Sequence, residues 1–244
     1  MPLPGGRIPT ILFDVALFRM MLYRHHPMSK LHIGIPRGCP VPDEAMITPG
    51  FHPVPPGKIA AVVTHLEMVE PPAMRPATLP DGAALTRVER PEVDWYRDLF
   101  TRVGALDWLW FSRLRMADAS LQGILRDRDV EVYALTLNDQ TEGLLELDFR
   151  DGESCELAFL GLTPAAQGIG AGRALMTTAI TRAFARPITR FQIHTCTFDS
   201  PVALPFYMRS GFVPVRREIE IVDDPRLDGT IPETAAAHHP IIKG

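Results

Sequence analysis

The sequence is poor in cysteine. Cys39, Cys155 and Cys196 are the three in 244 residues, too far apart for a C-x-x-C pair, so neither a disulfide framework nor a zinc knuckle is available. It also lacks a basic excess: 25 Lys and Arg stand against 29 Asp and Glu, and a net charge of −4 gives no field to hold a phosphodiester backbone. Long apolar runs are missing too. The most hydrophobic early stretch, Ile11 to Tyr23, is shorter than a bilayer-spanning helix, carries Asp14 and Arg19, and is followed by no small-residue cleavage site. These absences lead us to expect a reduced, cytoplasmic protein with small molecules or proteins as partners, and with no nucleic-acid or membrane partner and no metal.

What is present is an ordinary core-forming composition, 46% hydrophobic and 22% charged. Proline is unevenly spread. Fifteen of the 24 prolines fall in the first 80 residues, where they remove backbone donors and fix φ. Residues 1–57 therefore read as a Pro-rich arm that either wraps over the domain or stays loose, with capping of a substrate site or homodimer formation as its two candidate roles, 58–222 as the folded domain, and 223–244 as a polar, loop-like tail that is either mobile or a partner contact.

Within the domain, Lys58 to Met68 is a β-branched run of strand length. Pro91 to Gly104 places Val93, Tyr96, Leu99, Phe100 and Val103 on one helical stripe, and Asp118 to Asp127 reads as a shorter helix with Asp118 as its N-cap. Three strand-like runs come next, Val130 to Leu137, Thr141 to Arg150 and Glu153 to Leu162, punctuated by Asn138-Asp139 and Asp151-Gly152, and they predict an antiparallel meander. A helix over Gly170 to Arg186, a strand over Arg190 to Thr197, a short helix over Pro201 to Ser210 and a last strand over Phe212 to Val222 complete a mixed α/β domain.

The segment richest in chemistry is LGLTPAAQGIGAGRALM, Leu160 to Met176. Gly168, Gly170 and Gly172 leave backbone N–H groups unshielded where a helix begins, and the unpaired donors and the macrodipole there favour a phosphate or pyrophosphate. The dinucleotide pattern G-x-G-x-x-G fails, because Arg173 stands where its third glycine is needed, and no Gly-Lys-Ser/Thr occurs.

Gln167-x-x-Gly170-x-Gly172 resembles the phosphate loop of the GNAT superfamily of acyl-CoA-dependent N-acyltransferases, Gln/Arg-x-x-Gly-x-Gly/Ala. Further on, Ala203, Tyr207, Gly211 and Phe212 are in register with that family's second signature, although Ser200 stands where Asn is common and Pro205 enters the short helix. The resemblance covers residues 58–222. It implies a GNAT fold, a mixed and mostly antiparallel central sheet with helices on both faces. It further implies transfer of an acetyl group from acetyl-CoA to a primary amine by direct attack in a ternary complex. A non-catalytic CoA-binding sensor or scaffold is the alternative.

The same resemblance supplies residue roles. Gln167, Gly168, Ile169, Gly170, Ala171, Gly172 and Arg173 would cradle the pyrophosphate, Ser200 would bond a pantetheine amide, and backbone N–H groups near Leu160, Gly161 and Leu162 would meet the oxyanion. Tyr207 would protonate the departing thiolate, and Glu156 falls on the position of the catalytic glutamate of the histone-type members.

An unperturbed alkylamine has a pKa of about 10.4, so a proton acceptor is required near neutral pH. If Asp151-Gly152 is a two-residue turn, Glu156 pairs with Leu147 and lies beside Leu145 and Ala158, a carboxylate on an apolar wall with Glu146 and Asp148 on the opposite face. His194 reads as a structural histidine and Cys196 as a small core residue. Of Trp95, Trp108, Trp110 and Phe111, most are expected in the core and one or two at the acceptor.

Overall fold

In a computed structural model of the protein, residues 47–73 and 77–244 are described. The chain divides between Phe51 and His52, and the sheet and its helices all belong to the second unit, residues 52–244. The expected arm, with its His25-His26 pair and Cys39, lies outside the described residues as far as residue 46.

Among the described residues seven strands form one sheet: β1 (Lys58–Met68), β2 (Ala83–Arg87), β3 (Val130–Leu137), β4 (Gln140–Asp148), β5 (Ser154–Leu162), β6 (Arg190–Cys196) and β7 (Val213–Asp223). Their order is β2-β3-β4-β5-β6-β1-β7. Every pairing is antiparallel except β5 with β6. The mixed, mostly antiparallel sheet that the resemblance implies is the architecture found. The first strand enters the sheet between β6 and β7, far from the element that follows it in sequence.

Helices cover both faces. On one, α3 (Ala171–Ala183) buries Ala171, Ala174, Leu175, Ala179, Ile180 and Ala183, a stripe at three- and four-residue spacing whose small side chains let the helix lie close on Leu145, Leu147, Leu157, Phe191 and Ile193. On the other, α1 (Val93–Phe100) and α2 (Asp118–Leu125) pack Tyr96, Leu99, Phe100, Leu121 and Leu125 on Val130, Val132 and Leu144. Asp118 is the first helical residue of α2, not its cap. Ala117 occupies the N-cap, and the Asp118 carboxylate takes a hydrogen bond from Arg97 Nη1 at 2.6 Å.

Beyond Phe100, α1 runs into a π-helical turn, Thr101–Ala105, and one α-helical turn, Leu106–Trp108, which ends at Leu109 in the left-handed region with φ 54°. A short helix α4 (Ala203–Arg209) follows β6. Pro205 does not kink it. It lies in the first turn, where an N–H has no helical acceptor to lose, and the helix continues with Phe206 N–H bonded to Val202 at 2.9 Å.

The tail is loop-like as expected, yet it is packed. Ile231, Ala235 and Ala236 are buried with Ile59, Ala105 and Leu109. The tail closes around the buried Arg226 side chain, which bonds Asp224 through two nitrogens at 2.9 and 2.7 Å and the carbonyl of His239 at 2.7 Å.

Candidate active site

The parallel ladder between β5 and β6 is short. It pairs Ser154 with Arg190, Cys155 with Phe191 and Glu156 with Gln192, and then ends, although β5 runs on to Leu162 and β6 to Cys196. β6 remains paired on its other side with β1 as far as Cys196. The two central strands therefore diverge, and β5 presents alternate backbone N–H and C=O groups to the gap. Leu160 and Leu162 turn their side chains into the core beneath α3. Gly161 faces the α1 side, where a Cβ would stand 2.8 Å from Val103 Cγ2 and 3.1 Å from Trp110 Cη2.

At the end of β5 the chain makes a 3₁₀ turn, Pro164–Ala166, and enters the glycine-rich loop. Gly168 has φ 75° and Gly170 φ 93°; both values are strained for a side chain, and a Cβ at either position would meet nothing within 4 Å. Gly170 is the N-cap of α3 and supplies no side-chain cap, so the amides of Ala171 and Gly172 remain free of any described backbone acceptor, while the Arg173 N–H bonds the Gly170 carbonyl at 3.1 Å. Ile169 and Arg173 are exposed beside them. The Gln167 side chain is engaged elsewhere: its Nε2 donates to the Leu162 carbonyl at 3.0 Å, bracing the loop against the end of β5.

Glu156 is on a different register from the one expected. It pairs with Asp148, and Leu147 pairs with Leu157, because the turn at Asp151 is wider than two residues; beyond that pair a bulge at Ala158 adds one more residue before Phe159 meets Glu146. Glu156, Asp148 and Glu146 thus share the face under α1 and α2, and Leu145 and Leu147 lie on the other. The apolar wall is replaced by polar neighbours. His194, exposed and not a buried structural histidine, puts Nδ1 3.6 Å from Glu156 Oε1.

The other two carboxylates are neutralised. Arg150 holds Asp148 through Nε and Nη2, the latter at 2.6 Å; burial works against ionisation, and these hydrogen bonds bring the pKa below the ordinary value. Glu146, fully buried, accepts hydrogen bonds from Arg113 Nη2 and the Tyr96 hydroxyl.

Across the gap, Asp199 gathers the loop after β6. It accepts from Trp110 Nε1 at 2.8 Å, Thr195 Oγ1 at 2.6 Å and the Cys196 N–H at 2.8 Å. The Tyr207 phenol on α4 is buried, and burial followed by the charge of Asp199 raises its pKa, so it stays protonated at neutral pH. The same two causes push the Cys196 thiol up to about 12. Ser200 is half-buried at the turn that opens α4. Sequence reasoning had no signal for Asp199, and had only the aromatic character of Trp110 to mark that residue.

Residues 93–212 match the acetyltransferase (GNAT) family. Among solved structures, a GCN5-related N-acetyltransferase from Sphaerobacter thermophilus is similar with a TM-score of 0.51 at 14% identity, covering 70% of this chain and 53% of that one. A conserved protein from Staphylococcus epidermidis gives 0.46 at 14% identity, over 69% and 63% of the two chains. An aminoglycoside acetyltransferase from an uncultured soil metagenomic sample gives 0.44 at 16% identity, over 53% and 88%. The chain thus spans less than two thirds of the length of the first two. No curated protein sequence matches. The matched segment, 120 of the 244 residues, supports the GNAT superfamily.

Proposed function

We propose that the protein is an N-acetyltransferase that binds acetyl-CoA in the gap between β5 and β6 and transfers its acetyl group directly to a primary amine. The observation that carries this reading is the end of the β5–β6 ladder at Glu156 and Gln192 within the same strand that leads to the unpaired amides of α3. A pantetheine arm has peptide-like amides, so it can pair along the free edge of β5 from Ala158 to Leu162. The diphosphate then reaches the amides of Gly168 to Gly172, which Gln167 holds in place through Leu162, and Arg173 adds a positive charge.

With the cosubstrate so laid out, its thioester faces the Glu156 end of the gap. Glu156 accepts the ammonium proton, a backbone N–H of Leu160 to Leu162 steadies the oxyanion, and the protonated phenol of Tyr207 serves the departing thiolate. Ser200 is assigned to a pantetheine amide. The reading calls for no metal.

A thermal-shift panel tests the binding half: acetyl-CoA at about one hundred times its Kd adds about 2.7 kcal/mol, and NAD and ATP at equal concentration add nothing. A thiol-release assay with primary amines tests the transfer half. Equal stabilisation by all three nucleotides would remove the reading.

A further inference from the structure

Resting on the proposed N-acetyl transfer, we infer that His194 is a positioning and proton-relay residue, which takes from Glu156 the proton that the amine gives up and releases it to solvent. The β-sheet lines up titratable groups at the level where β5 and β6 part. Asp148 on β4 is opposite Glu156 on β5, and His194 on β6 is opposite His65 on β1. His65 Nε2 lies 2.8 Å from Glu218 Oε2 on β7, and Arg216 Nη2 is 3.3 Å from the same nitrogen.

Of these groups only His194 is both next to Glu156 and open to water. Its side chain is 54% exposed against 29% for Glu156. Among the described residues its ring nitrogens make no hydrogen bond, so no structural fastening explains an imidazole there. Its Nδ1 stands 3.6 Å from Glu156 Oε1, just beyond hydrogen-bond contact.

The remaining neighbours leave the pair free to act. Asp148 is tied to Arg150 and does not compete for the proton. The ring of His65 is 5.9 Å from that of His194. Burial lowers the His65 pKa, the Glu218 hydrogen bond opposes this, and the Arg216 charge lowers it again; the net effect keeps His65 neutral near pH 7. The Arg216 charge is met by Glu218. An imidazolium formed briefly on His194 therefore meets no unpaired cation in its row.

Protons balance along this row. An ammonium N–H bond breaks as a Glu156 O–H bond forms; that bond breaks as His194 Nδ1 is protonated, and the imidazolium returns a proton to water from Nε2. The neutral amine then forms its C–N bond to the thioester carbon, giving the oxyanion; as the C–S bond breaks, the Tyr207 phenol gives its proton to the thiolate, and the second amine N–H proton returns to the phenolate, leaving the amide and the CoA thiol.

The test uses wild type, His194→Gln and His194→Ala, with acetyl-CoA and a panel of tyramine, spermidine and lysine amide. Far-UV circular dichroism confirms folding, and calorimetry confirms unchanged acetyl-CoA affinity. We expect His194→Gln to lose about 10-fold in kcat at pH 7 with KM for acetyl-CoA unchanged, and its kcat–pH profile to differ in shape from that of wild type. Free imidazole should restore part of the rate of His194→Ala and none of the rate of Glu156→Gln. Wild-type rate and pH profile in His194→Gln, or no rescue by imidazole, overturn the relay and leave the acetyltransferase reading standing. Binding of acetyl-CoA by wild type with no turnover of any amine at any pH overturns both the relay and the transfer reading.

Discussion

Trp110 Nε1 donates a 2.8 Å hydrogen bond to Asp199 Oδ1, joining the segment after α1 to the loop after β6 across the gap between the diverging strands. The indole needs room on two sides. A Cβ on Gly104 would stand 2.0 Å from its ring, and one on Gly161 would stand 3.1 Å from it. Phe100 and Phe159 complete the seat, with ring centroids 5.6 and 5.3 Å away. The two glycines and two phenylalanines therefore exist, in part, to hold one tryptophan over the gap.

Trp110→Phe keeps the aromatic packing and deletes the donor to a carboxylate, a loss of about 1.5–3 kcal/mol for a hydrogen bond to a charged group. Urea unfolding should show that drop. Because Asp199 also sets the environment of Tyr207, the variant should lose kcat while its acetyl-CoA affinity stays near wild type. Gly161→Ala forces a methyl into Val103 and Trp110 and should cost about 1–3 kcal/mol by overpacking.

The glycines of the loop that opens α3 should separate into two behaviours. Gly170→Ala meets no neighbouring atom and is penalised through its φ of 93°, by about 1–2 kcal/mol. Relaxation of that strain would turn the free amides away, so calorimetric affinity for acetyl-CoA should fall with it. Gly172 has an ordinary backbone, and a Cβ there would touch Leu162 Cδ1 at 3.6 Å. Gly172→Ala should be near neutral in both stability and affinity.

Glu146, Arg113 and Tyr96 form a fully buried polar triad between β4 and the α1 side, with the Arg113 guanidinium also 5.1 Å from the centre of the Phe159 ring. Removing one member of a buried ion pair strands the other. Glu146→Ala should cost about 3–5 kcal/mol in chemical denaturation, whereas Tyr96→Phe, which removes one neutral donor, should cost about 1–3 kcal/mol.

Stability should respond to acid through Glu131. Burial disfavours its charge, but hydrogen bonds from Arg182, Tyr133 and Arg186 bring its pKa down to about 2 from the ordinary 4.5. A carboxylate depressed in the fold stabilises at pH values above its unfolded pKa and ceases to do so as pH falls through the folded one. The difference corresponds to about 3 kcal/mol at neutral pH, lost between about pH 4.5 and 2. Glu131→Gln should flatten the stability curve in that window.

Much of the fold was legible because local patterns specify it. Val130–Leu137 carries enough β-branched and aromatic side chains to declare a strand, and Pro91 and Gly104 bracket the apolar stripe of α1. β2 was not legible: Ala83–Arg87 is five residues of weak pattern at a sheet edge, paired with β3 alone. The register of Glu156 failed for a specific reason. Asp151 accepts the N–H groups of Glu153 and Ser154 and widens the turn beyond two residues, and the bulge at Ala158 then resets the faces.

The candidate site divides in the same way. The glycine-rich turn that opens α3 could be read from glycine spacing, since it is local in the chain. The gap between β5 and β6, the bridge from Trp110 to Asp199 and the approach of His194 to Glu156 join residues dozens of positions apart. Alternation fixes which face a strand residue takes, but not which neighbour it meets there.

The central claim is that the diverging strands and the amides opening α3 together bind the cosubstrate. Titrating acetyl-CoA into the folded protein by calorimetry, with Gly170→Ala beside it, tests that directly. The account predicts one site per chain with a Kd of roughly micromolar order, a ΔG near −8 kcal/mol, and weaker binding in the variant. No heat of binding to folded wild-type protein, or equal affinity in both proteins, would contradict it.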